Sequence, residues 1–547
     1  MAGQGSLKTR LLARLYASRL YDIWLNGPVP KGLAVSPAEP WPGDPAAADR
    51  LFHGRWRFGG EEIATRDLPW AAGVGGGPAW TETLHEFGWL RHFTANGGDT
   101  ARRHARALVA GWLGHYPRWQ ALTWRPDILA RRLIAWFHAA PFLVEGADAA
   151  FVKSFHAALL RQARHLSNTI EQTPPGAARL AAAVGWVYAC LCLTDRAGLM
   201  PRAVDRLDIE ISRQILPDGG HVSRCPTTLL DVMALLVGLR AALIGANQTP
   251  PRGVIEAIDR IAPMLRMLRH ADGALGLFHG GTEGDPNLVN AVLLRAEAHG
   301  RPLDQAPYSG FERGSAKKSV LLVDVGPPPD PASTGGRPHA GLLACEFSVG
   351  RDRLLVNCGE TLRTDGVWAG ALTATAAHTT LVLDDHHALD LNHPETWPER
   401  PRVERQETEG ATWIAAEHDG YRSRYGLKHR RRLFLNHDGD DLRGEDSLIG
   451  NAMAGAADRD VNLRFHLHPS VSASLTQGGD EVLLRTSSGD GWRFRASGRH
   501  LGLEDSVYFG DGIEPRHTLQ ILVTDRIGPE GAVVKWALTQ VRQDGAD

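Results

Sequence analysis

The hydrophobic period of this chain changes once, near residue 315, and that change constrains the fold more than any other feature. Before it, apolar residues recur at helical spacing between short polar or Pro-rich breaks. After it, apolar and polar residues alternate with period two between Gly, Asp and Asn. Helices followed by strands predict two segregated domains rather than alternating βαβ units. At 547 residues the chain is also too long for one core, since a single core stops growing at roughly 250–300 residues.

The helical segments are long enough to form antiparallel hairpins, and their number favours a toroid over a four-helix bundle. The clearest are 101–116, 125–143, 151–166, 177–193 and 228–243. The clearest strands are 319–326, 342–350, 353–359, 379–385, 411–417, 430–436, 463–469, 481–487 and 519–525. So many short strands predict a large antiparallel sandwich. The predicted fold class is therefore α+β and multidomain, with a helical and extended arm (1–79), an incomplete α/α toroid (80–314) and an antiparallel β-sandwich (315–547).

Composition and motifs exclude several classes of protein. Sixty basic and 62 acidic side chains give a formal charge of −2, without the basic excess of a nucleic-acid binder. The five cysteines have no CxxC spacing, which indicates buried free thiols and a reducing compartment. No GxGxxG with a downstream acid, GxxxxGK[ST], HExxH or GxSxG is present, so nucleotide-binding, zincin and α/β-hydrolase functions have no support.

The N-terminal segment 8–25 carries an apolar helical stripe interrupted by Arg10, Arg14 and Arg19. The interruptions argue against a signal peptide, so we expect a cytoplasmic protein. The stripe could lie on a membrane surface, although packing against the rest of the protein is the commoner use. The apolar run 180–193 is shorter than the roughly 18–20 residues that a membrane span needs. We therefore expect a soluble protein with no transmembrane segment.

Two residues after a tight turn are candidates for anion binding. Asp218-Gly219-Gly220 precedes His221 and Arg224, which lead into a predicted helix. The pair could hold an anionic ligand near the helix N-terminus. Alternatively, Asp218 and Thr227 cap the helix while Arg224 lies along the surface.

Further candidates lie at strand entries and in the helical half. His339 and His378 each precede an apolar strand. One such histidine alone is more often structural, but two at corresponding strand entries favour a site. Asn168, His85 and Trp124 are candidates for a cleft in the helical half, where eleven of the sixteen tryptophans lie and where flat rings would stack on sugars.

These segments together resemble the bacterial heparinase II/III-like proteins over roughly residues 80–540. The matching motifs, in the family's order, are TLHEFGWL (83–90), RLIAWF (132–137), LPDGGHVSRCP (216–226), PHAGLLACEFSVG (338–350), TAAHTTLVLDD (375–385), GEDSL (444–448), RFHLHP (464–469) and LEDSVYF (503–509). The resemblance implies a toroid joined to a β-sandwich, with a polysaccharide cleft between them. It also implies a carbon–oxygen lyase that cleaves uronic-acid-containing polysaccharides, such as glycosaminoglycans, by β-elimination.

That reaction explains the residue types which the resemblance implies. The C5 proton of a uronate is removable only when the neighbouring carboxylate is neutralised, a role that falls to Arg224. His339 would act as base or acid, and His221 would assist proton transfer. Asn168, His378, His85 and Trp124 would line the substrate cleft, and the implied partner is an anionic polysaccharide.

The sequence departs from the family pattern at four positions. The family's Tyr, Glu, second His and metal-ligand Asp fall on Thr228, Ser223, Gly341 and Asn357. Of the usual metal ligands only His378 remains, so we expect no zinc site and no other cofactor.

These losses leave two alternatives open. One is a glycan-binding relative without catalysis. The other is an α/α-toroid glycoside hydrolase, which needs two opposed carboxylates; Glu86, Asp218 and Glu283 are the candidates. Family lyases commonly work in the periplasm, which is the alternative compartment.

Overall fold

The computed structural model describes residues 7–71, 73–363, 367–398, 400–453, 456–528 and 530–541. The chain forms two compact units. The first, the helical unit, is built mainly from Met1–Gln214 and Val232–Ile258. The second, the sandwich unit, is built mainly from Ile215–Asp231, Asp259–Thr361 and Asp365–Asp547.

Helices dominate the described part of the helical unit. They are α1 (Leu7–Tyr16), α2 (Arg19–Trp24), α3 (Pro45–Phe52), α4 (Pro78–Glu86), α5 (Leu90–Asn96), α6 (Gly98–His115), α7 (Pro126–Val144), α8 (Ala149–Thr169), α9 (Ala177–Cys192) and α10 (Met200–Gln214), with a ribbon of β1 (Arg55–Phe58) and β2 (Glu61–Ala64). Two helices, α11 (Pro226–Gly245) and α12 (Arg252–Met267), contribute to both units, and α13 (Pro286–Ala296) belongs to the sandwich unit.

Helix α7 is the central element of the helical unit and packs against α4, α8 and α9. It begins with Pro126 in its first turn, where a missing N–H costs nothing. Its Arg132 is fully buried and donates to Gln162 Oε1 at 2.7 Å, to the His85 carbonyl at 2.9 Å and to the Thr123 carbonyl at 2.6 Å. This guanidinium therefore joins α4, α7 and α8 through hydrogen bonds that a buried charge requires.

Helix α11 is the only described helix long and apolar enough to cross a membrane by length and composition. However, 56% of its most apolar window is buried inside the protein. That burial is typical of a core helix.

The sandwich unit contains two antiparallel sheets. Its strands are β3 (Gln305–Ala306), β4 (Phe311–Ala316), β5 (Ser319–Asp324), β6 (Cys345–Val349), β7 (Asp352–Val356), β8 (Leu381–Leu383), β9 (Arg402–Glu407), β10 (Ala411–His418), β11 (Leu427–Asn436), β12 (Asp441–Gly450), β13 (Asp460–Leu467), β14 (Ser472–Leu475), β15 (Glu481–Arg485), β16 (Gly491–Ala496), β17 (His500–Tyr508), β18 (Arg516–Arg526) and β19 (Ala532–Gln540). Short helices α14 (Pro331–Thr334), α15 (Trp368–Ala371) and α16 (Arg422–Tyr425) lie in its loops.

One sheet has the strand order β14-β15-β16-β19-β12-β11-β10-β9. The other has the order β17-β18-β13-β7-β6-β5-β4-β3, with β8 also paired to β13. Alternate residues of both sheets, such as Leu433 and Leu435 of β11 and Phe465 of β13, form one buried apolar core. This alternation is the period of two that the sequence shows after residue 315.

The predicted fold class is confirmed, since helical elements precede an antiparallel β-sheet region. Each of the predicted helical and strand segments contains an observed element of the predicted type. The predictions omitted α10, α12 and several strands, among them β12, β16, β17 and β19. Residues 259–314 belong to the same compact unit as the strands.

Candidate functional site

Four of the predicted site residues lie in loops and turns of the sandwich unit. His221 and Arg224 follow the turn before α11, His339 precedes β6, and His378 precedes β8. All four side chains are buried. Their hydrogen-bond partners therefore decide what each of them is able to do.

Arg224 is engaged on every nitrogen of its guanidinium. Nε donates to the Ser309 carbonyl at 2.6 Å, Nη1 to the Pro327 carbonyl at 2.6 Å and Nη2 to the Gly310 carbonyl at 2.9 Å. Nη2 also donates to Asp324 Oδ1, which forms a buried ion pair whose side chains are 4% and 2% exposed. The described geometry therefore does not leave Arg224 free for the substrate carboxylate that we expected it to bind.

The surrounding backbone is shaped to admit this guanidinium. A Cβ at Gly326 would lie 2.5 Å from Arg224 Nη2, and one at Gly310 would lie 3.3 Å from the same atom. The ring of Phe311 lies 4.8 Å from the guanidinium carbon and adds a cation–π contact. Arg224 itself has a φ of +56°, so the local backbone is held in a conformation that L-residues rarely adopt.

His279 shares the carboxylate of Asp324. Its Nε2 lies 2.8 Å from Asp324 Oδ2, and its side chain is 2% exposed. Burial, followed by the Arg224 charge, lowers the pKa of His279 to about 4. Burial would raise the pKa of Asp324, but Arg224 and His279 outweigh it and hold that pKa below its usual value. Asp324 is thus ionised and balances the Arg224 charge, while His279 is neutral.

His339 forms a second pair with Glu360. Its Nε2 lies 3.1 Å from Glu360 Oε2, and the Glu360 side chain is 15% exposed. The ring of His378 meets the His339 ring edge-on at 5.5 Å, and His378 Nδ1 donates to the Ala374 carbonyl at 2.8 Å. Burial, then the neighbouring His339, lowers the pKa of His378 to about 3. The structure thus brings His339 and His378 together, as their positions at two strand entries indicated.

His221 is held by its own turn. Its Nδ1 lies 2.7 Å from Ser223 Oγ, and the residue is 1% exposed. Burial lowers the pKa of His221 to about 4. Asp218 does not cap α11; it accepts hydrogen bonds from the amides of Tyr308 and Ser309 at 2.7 and 2.6 Å.

The other three candidates lie in the helical unit. His85 is buried, its Nδ1 accepts from Trp112 Nε1 at 3.0 Å, and burial lowers its pKa to about 3. Trp124 lines a cavity of about 620 Å³ together with Trp112 and Tyr116. Asn168 lines a separate pocket of about 380 Å³ and donates to the Arg164 carbonyl at 2.6 Å.

The residues at the family's metal positions do not fit a zinc site. The ring of His378 occupies the space that a side chain at Gly341 would need, since a Cβ there would lie 2.5 Å from its Cδ2. Asn357 uses its amide to accept from the Thr379 N–H at 2.9 Å and to donate to Glu346 at 3.2 Å. Among the described residues, no three His, Cys, Asp or Glu side chains are arranged to hold a metal, whereas a catalytic zinc needs three protein ligands.

Asp324, His279 and Glu360 are not among the residues that the sequence predicted for the site. An available signal was the carboxylate at the end of the apolar strand β5, because a buried acid requires a cation. His279 carried a weaker signal, a histidine between Phe278 and two glycines in a loop. Neither signal predicts which residue pairs with Asp324 or His279, because that residue lies far away in the chain.

Comparison with known proteins gives matches over most of the chain. Residues 298–537 match the family described as heparinase II/III-like, C-terminal. FtsZ-localized protein C of Caulobacter vibrioides (strain NA1000 / CB15N) is 32% identical over 538 residues, which cover 94% of this chain and 91% of that protein.

Solved structures of polysaccharide lyases have the same fold. Heparinase III matches with a TM-score of 0.72 at 13% identity, over 97% of this chain and 89% of that one. Heparan sulfate lyase HepC from Pedobacter heparinus matches with a TM-score of 0.62 at 14% identity, over 98% and 89%. Fold, motif order and full-length similarity therefore agree, and the chain belongs to the heparinase II/III-like family.

Proposed function

We propose that this chain binds an anionic polysaccharide on a lyase scaffold and does not cleave it. The observation that carries the proposal is the buried ion pair between Arg224 and Asp324. β-Elimination needs a free cation, amide or metal to stabilise the developing enolate of the uronate, and Arg224 is the residue expected to provide it. A guanidinium already neutralised by a buried carboxylate offers no such charge.

The protonation states of His221 and His279 limit these residues as acids but not as bases. A group that protonates the leaving O4 must carry a proton at the working pH. The pKa values of His221 and His279 are lowered to about 4 by burial, so both are neutral near pH 7. Thr228 replaces the family's tyrosine, which removes the other usual proton carrier.

The cavity lined by Trp124 is the proposed place for sugar rings. Trp112 and Tyr116 add aromatic rings to its wall, and Arg161 adds a charged group. Trp124 Nε1 is a buried donor without a hydrogen-bond partner in the described structure. Because Trp124 is only 3% exposed, a sugar hydroxyl would reach this donor once the side chains over it move aside. Heparan sulfate, named for one solved neighbour, is the first ligand to test.

The test combines an ultraviolet assay with a binding assay. The full chain is incubated with heparan sulfate, chondroitin sulfate and hyaluronan, with heparinase III as the positive control on heparan sulfate. We expect no absorbance from a C4–C5 double bond and saturable binding by calorimetry. We expect Trp124→Ala to weaken binding at least about tenfold, as loss of an aromatic anchor usually does, while Trp413→Ala, 43% exposed in the sandwich unit, leaves binding unchanged.

Two outcomes would overturn the proposal. One is absorbance that rises with the wild type, because it would show a working lyase; its loss in a folded His339→Ala variant would identify His339 as part of the catalytic machinery. The other is the absence of binding to every glycan in the panel.

The glycoside hydrolase alternative finds little support. Asp218 is occupied by backbone amides. Glu283 accepts from Arg353 at 2.8 Å and from Tyr508 at 2.5 Å. Glu86 lies in α4 of the helical unit, where Arg131 is 3.6 Å away. Reducing ends released without ultraviolet absorbance would favour a hydrolase and contradict binding alone.

A second candidate function follows from the curated relative. The name FtsZ-localized protein C states where that protein is found, and the similarity covers 94% of this chain. We propose that this chain also localises with FtsZ. Co-sedimentation with FtsZ polymers tests it, with unpolymerised FtsZ as the control; a chain that stays in the supernatant in both cases would contradict it.

A further inference from the structure

Helix α2 presents its apolar side chains to solvent. Leu20, Ile23 and Trp24 are 79%, 66% and 55% exposed, and Leu11 and Leu15 of α1 are 55% and 52% exposed. We call these five residues the N-terminal patch. A surface helix of a globular protein normally turns its apolar face inward, and contiguous exposed apolar residues usually mark an interaction surface.

Polar contacts hold α2 in this orientation. Tyr21 Oη lies 2.8 Å from His165 Nδ1, and Asp22 pairs with Arg161. Arg164 donates to the carbonyls of Leu25 and Asn26 just after the helix. The polar side of α2 is therefore used against the protein, which leaves its apolar side for something else.

A cationic pocket adjoins the patch. It has a volume of about 380 Å³ and shares Trp24 with the patch; its other main lining residues are Arg164, Asn168, Trp186, Arg196 and Arg202. Two donors of this lining, Arg164 Nε and Trp186 Nε1, are buried without a hydrogen-bond partner in the described structure. Vacant donors of this kind indicate an acceptor-rich ligand.

Charge identifies that ligand as an anion. Arg164 and Arg196 share a single carboxylate, Asp195, at 4.0 and 3.2 Å, and Arg202 adds a third, exposed guanidinium. Arginine forms charge-assisted, often bidentate hydrogen bonds with phosphate. Beside the patch, Arg10, Arg14 and Arg19 are also exposed. Exposed apolar residues, a tryptophan and surrounding arginines are typical of helices that lie in a membrane interface.

We propose that the helical unit binds the surface of an anionic phospholipid bilayer. The N-terminal patch inserts at the boundary of headgroups and acyl chains, and the pocket beside Trp24 holds a lipid phosphate. This binding does not depend on the polysaccharide proposal, because that ligand is placed in a different cavity.

Vesicle sedimentation of the full chain tests the proposal. Vesicles of phosphatidylcholine alone are compared with vesicles that also contain phosphatidylglycerol. We expect binding only to the second kind. Arg196→Gln with Arg202→Gln should weaken it about fivefold for each charge removed, and Leu20→Ser with Ile23→Ser should weaken it at least about tenfold.

Two matched controls keep the result specific. Leu294 of α13 is 79% exposed, like Leu20, and Leu294→Ser should change nothing. The Arg252 side chain is 90% exposed, and Arg252→Gln should lower binding much less than either pocket substitution. Circular dichroism of each variant checks that it is folded.

Three results would overturn the proposal. The first is no sedimentation with anionic vesicles. The second is sedimentation that the control variants weaken as much as the test variants. The third is binding of inorganic phosphate or heparin, measured without vesicles, that depends on the pocket arginines and not on the patch, since it would identify a soluble anion as the ligand.

Discussion

Removing the carboxylate that pairs with Arg224 should destabilise the sandwich unit strongly. In Asp324→Asn the shape is kept, and Asn still offers an acceptor to the Gly326 N–H, which lies 3.2 Å from Oδ1. The Arg224 charge, however, loses its counter-ion at a site where both side chains are at most 4% exposed. Breaking a buried pair by removing one partner costs about 3–5 kcal/mol. Because Asn keeps the hydrogen-bond acceptor, we expect the free energy of unfolding to fall by about 3 kcal/mol, the lower end of that range.

Native-state hydrogen exchange measures this loss in the unit concerned. Peptides that cover β5 and β6 report the opening free energy of the sandwich core, separately from the helical unit with its many tryptophans. The control is Asp460→Asn, whose partner Arg526 lies 3.2 Å away with side chains 57% and 50% exposed. It should cost at most about 1 kcal/mol, since exposed pairs contribute little.

The comparison of the two variants tests the reasoning directly. If Asp324→Asn costs no more than Asp460→Asn, the Arg224 charge does not depend on Asp324. Arg224 would then be available to a ligand, and the ion pair would no longer speak against catalysis.

Three further predictions concern burial. The free energy of unfolding should fall as the pH drops from 6.5 towards 4. His221 has a folded pKa of about 4, so in that window the unfolded chain takes up a proton that the folded chain does not. Urea titrations should show a smaller dependence on pH for His221→Gln, and an unchanged dependence would contradict the prediction. Gly326→Ala should cost about 1–3 kcal/mol through overpacking on Arg224. An added Cβ at Gly370 would meet no heavy atom within 4 Å, so Gly370→Ala should not destabilise the protein in thermal unfolding. Equal losses in the two variants would refute the contact with Arg224. All five cysteines are buried, and burial raises the pKa of Cys345 to about 11. A thiol reagent should therefore label the chain only in denaturant. A thiol that reacts fast in the native protein would be inconsistent with the structure.

Strand β12 is an omitted strand whose inward positions explain the omission. Strand β12 places Gly444 and Asp446 on the inward face, so its pattern does not read as a strand. A Cβ at Gly444 would lie 2.1 Å from the Trp536 ring, and Asp446 accepts from Arg431 and from Trp536. A long-range contact replaces the missing apolar side chain in each case.

For the candidate site, the sequence indicated several residues but not their hydrogen-bond partners or their charge pairing. His339 and His378 do come together, as their places before two strands suggested. Arg224 was expected to face an incoming anion, but the anion is supplied by the chain itself from 100 residues away. No spacing rule links two residues so far apart, because the contact depends on how β5 and the turn before α11 meet.

The sequence alone determined the order and type of the main elements and the family to which they belong. Those properties follow from local periodicity and motif order, which every short segment carries within itself. Only the tertiary structure decided which charges are neutralised, which imidazoles are buried and which apolar side chains of α2 stay exposed. Burial and pairing arise between distant segments, and a pKa or a free guanidinium depends on them rather than on the neighbouring residues.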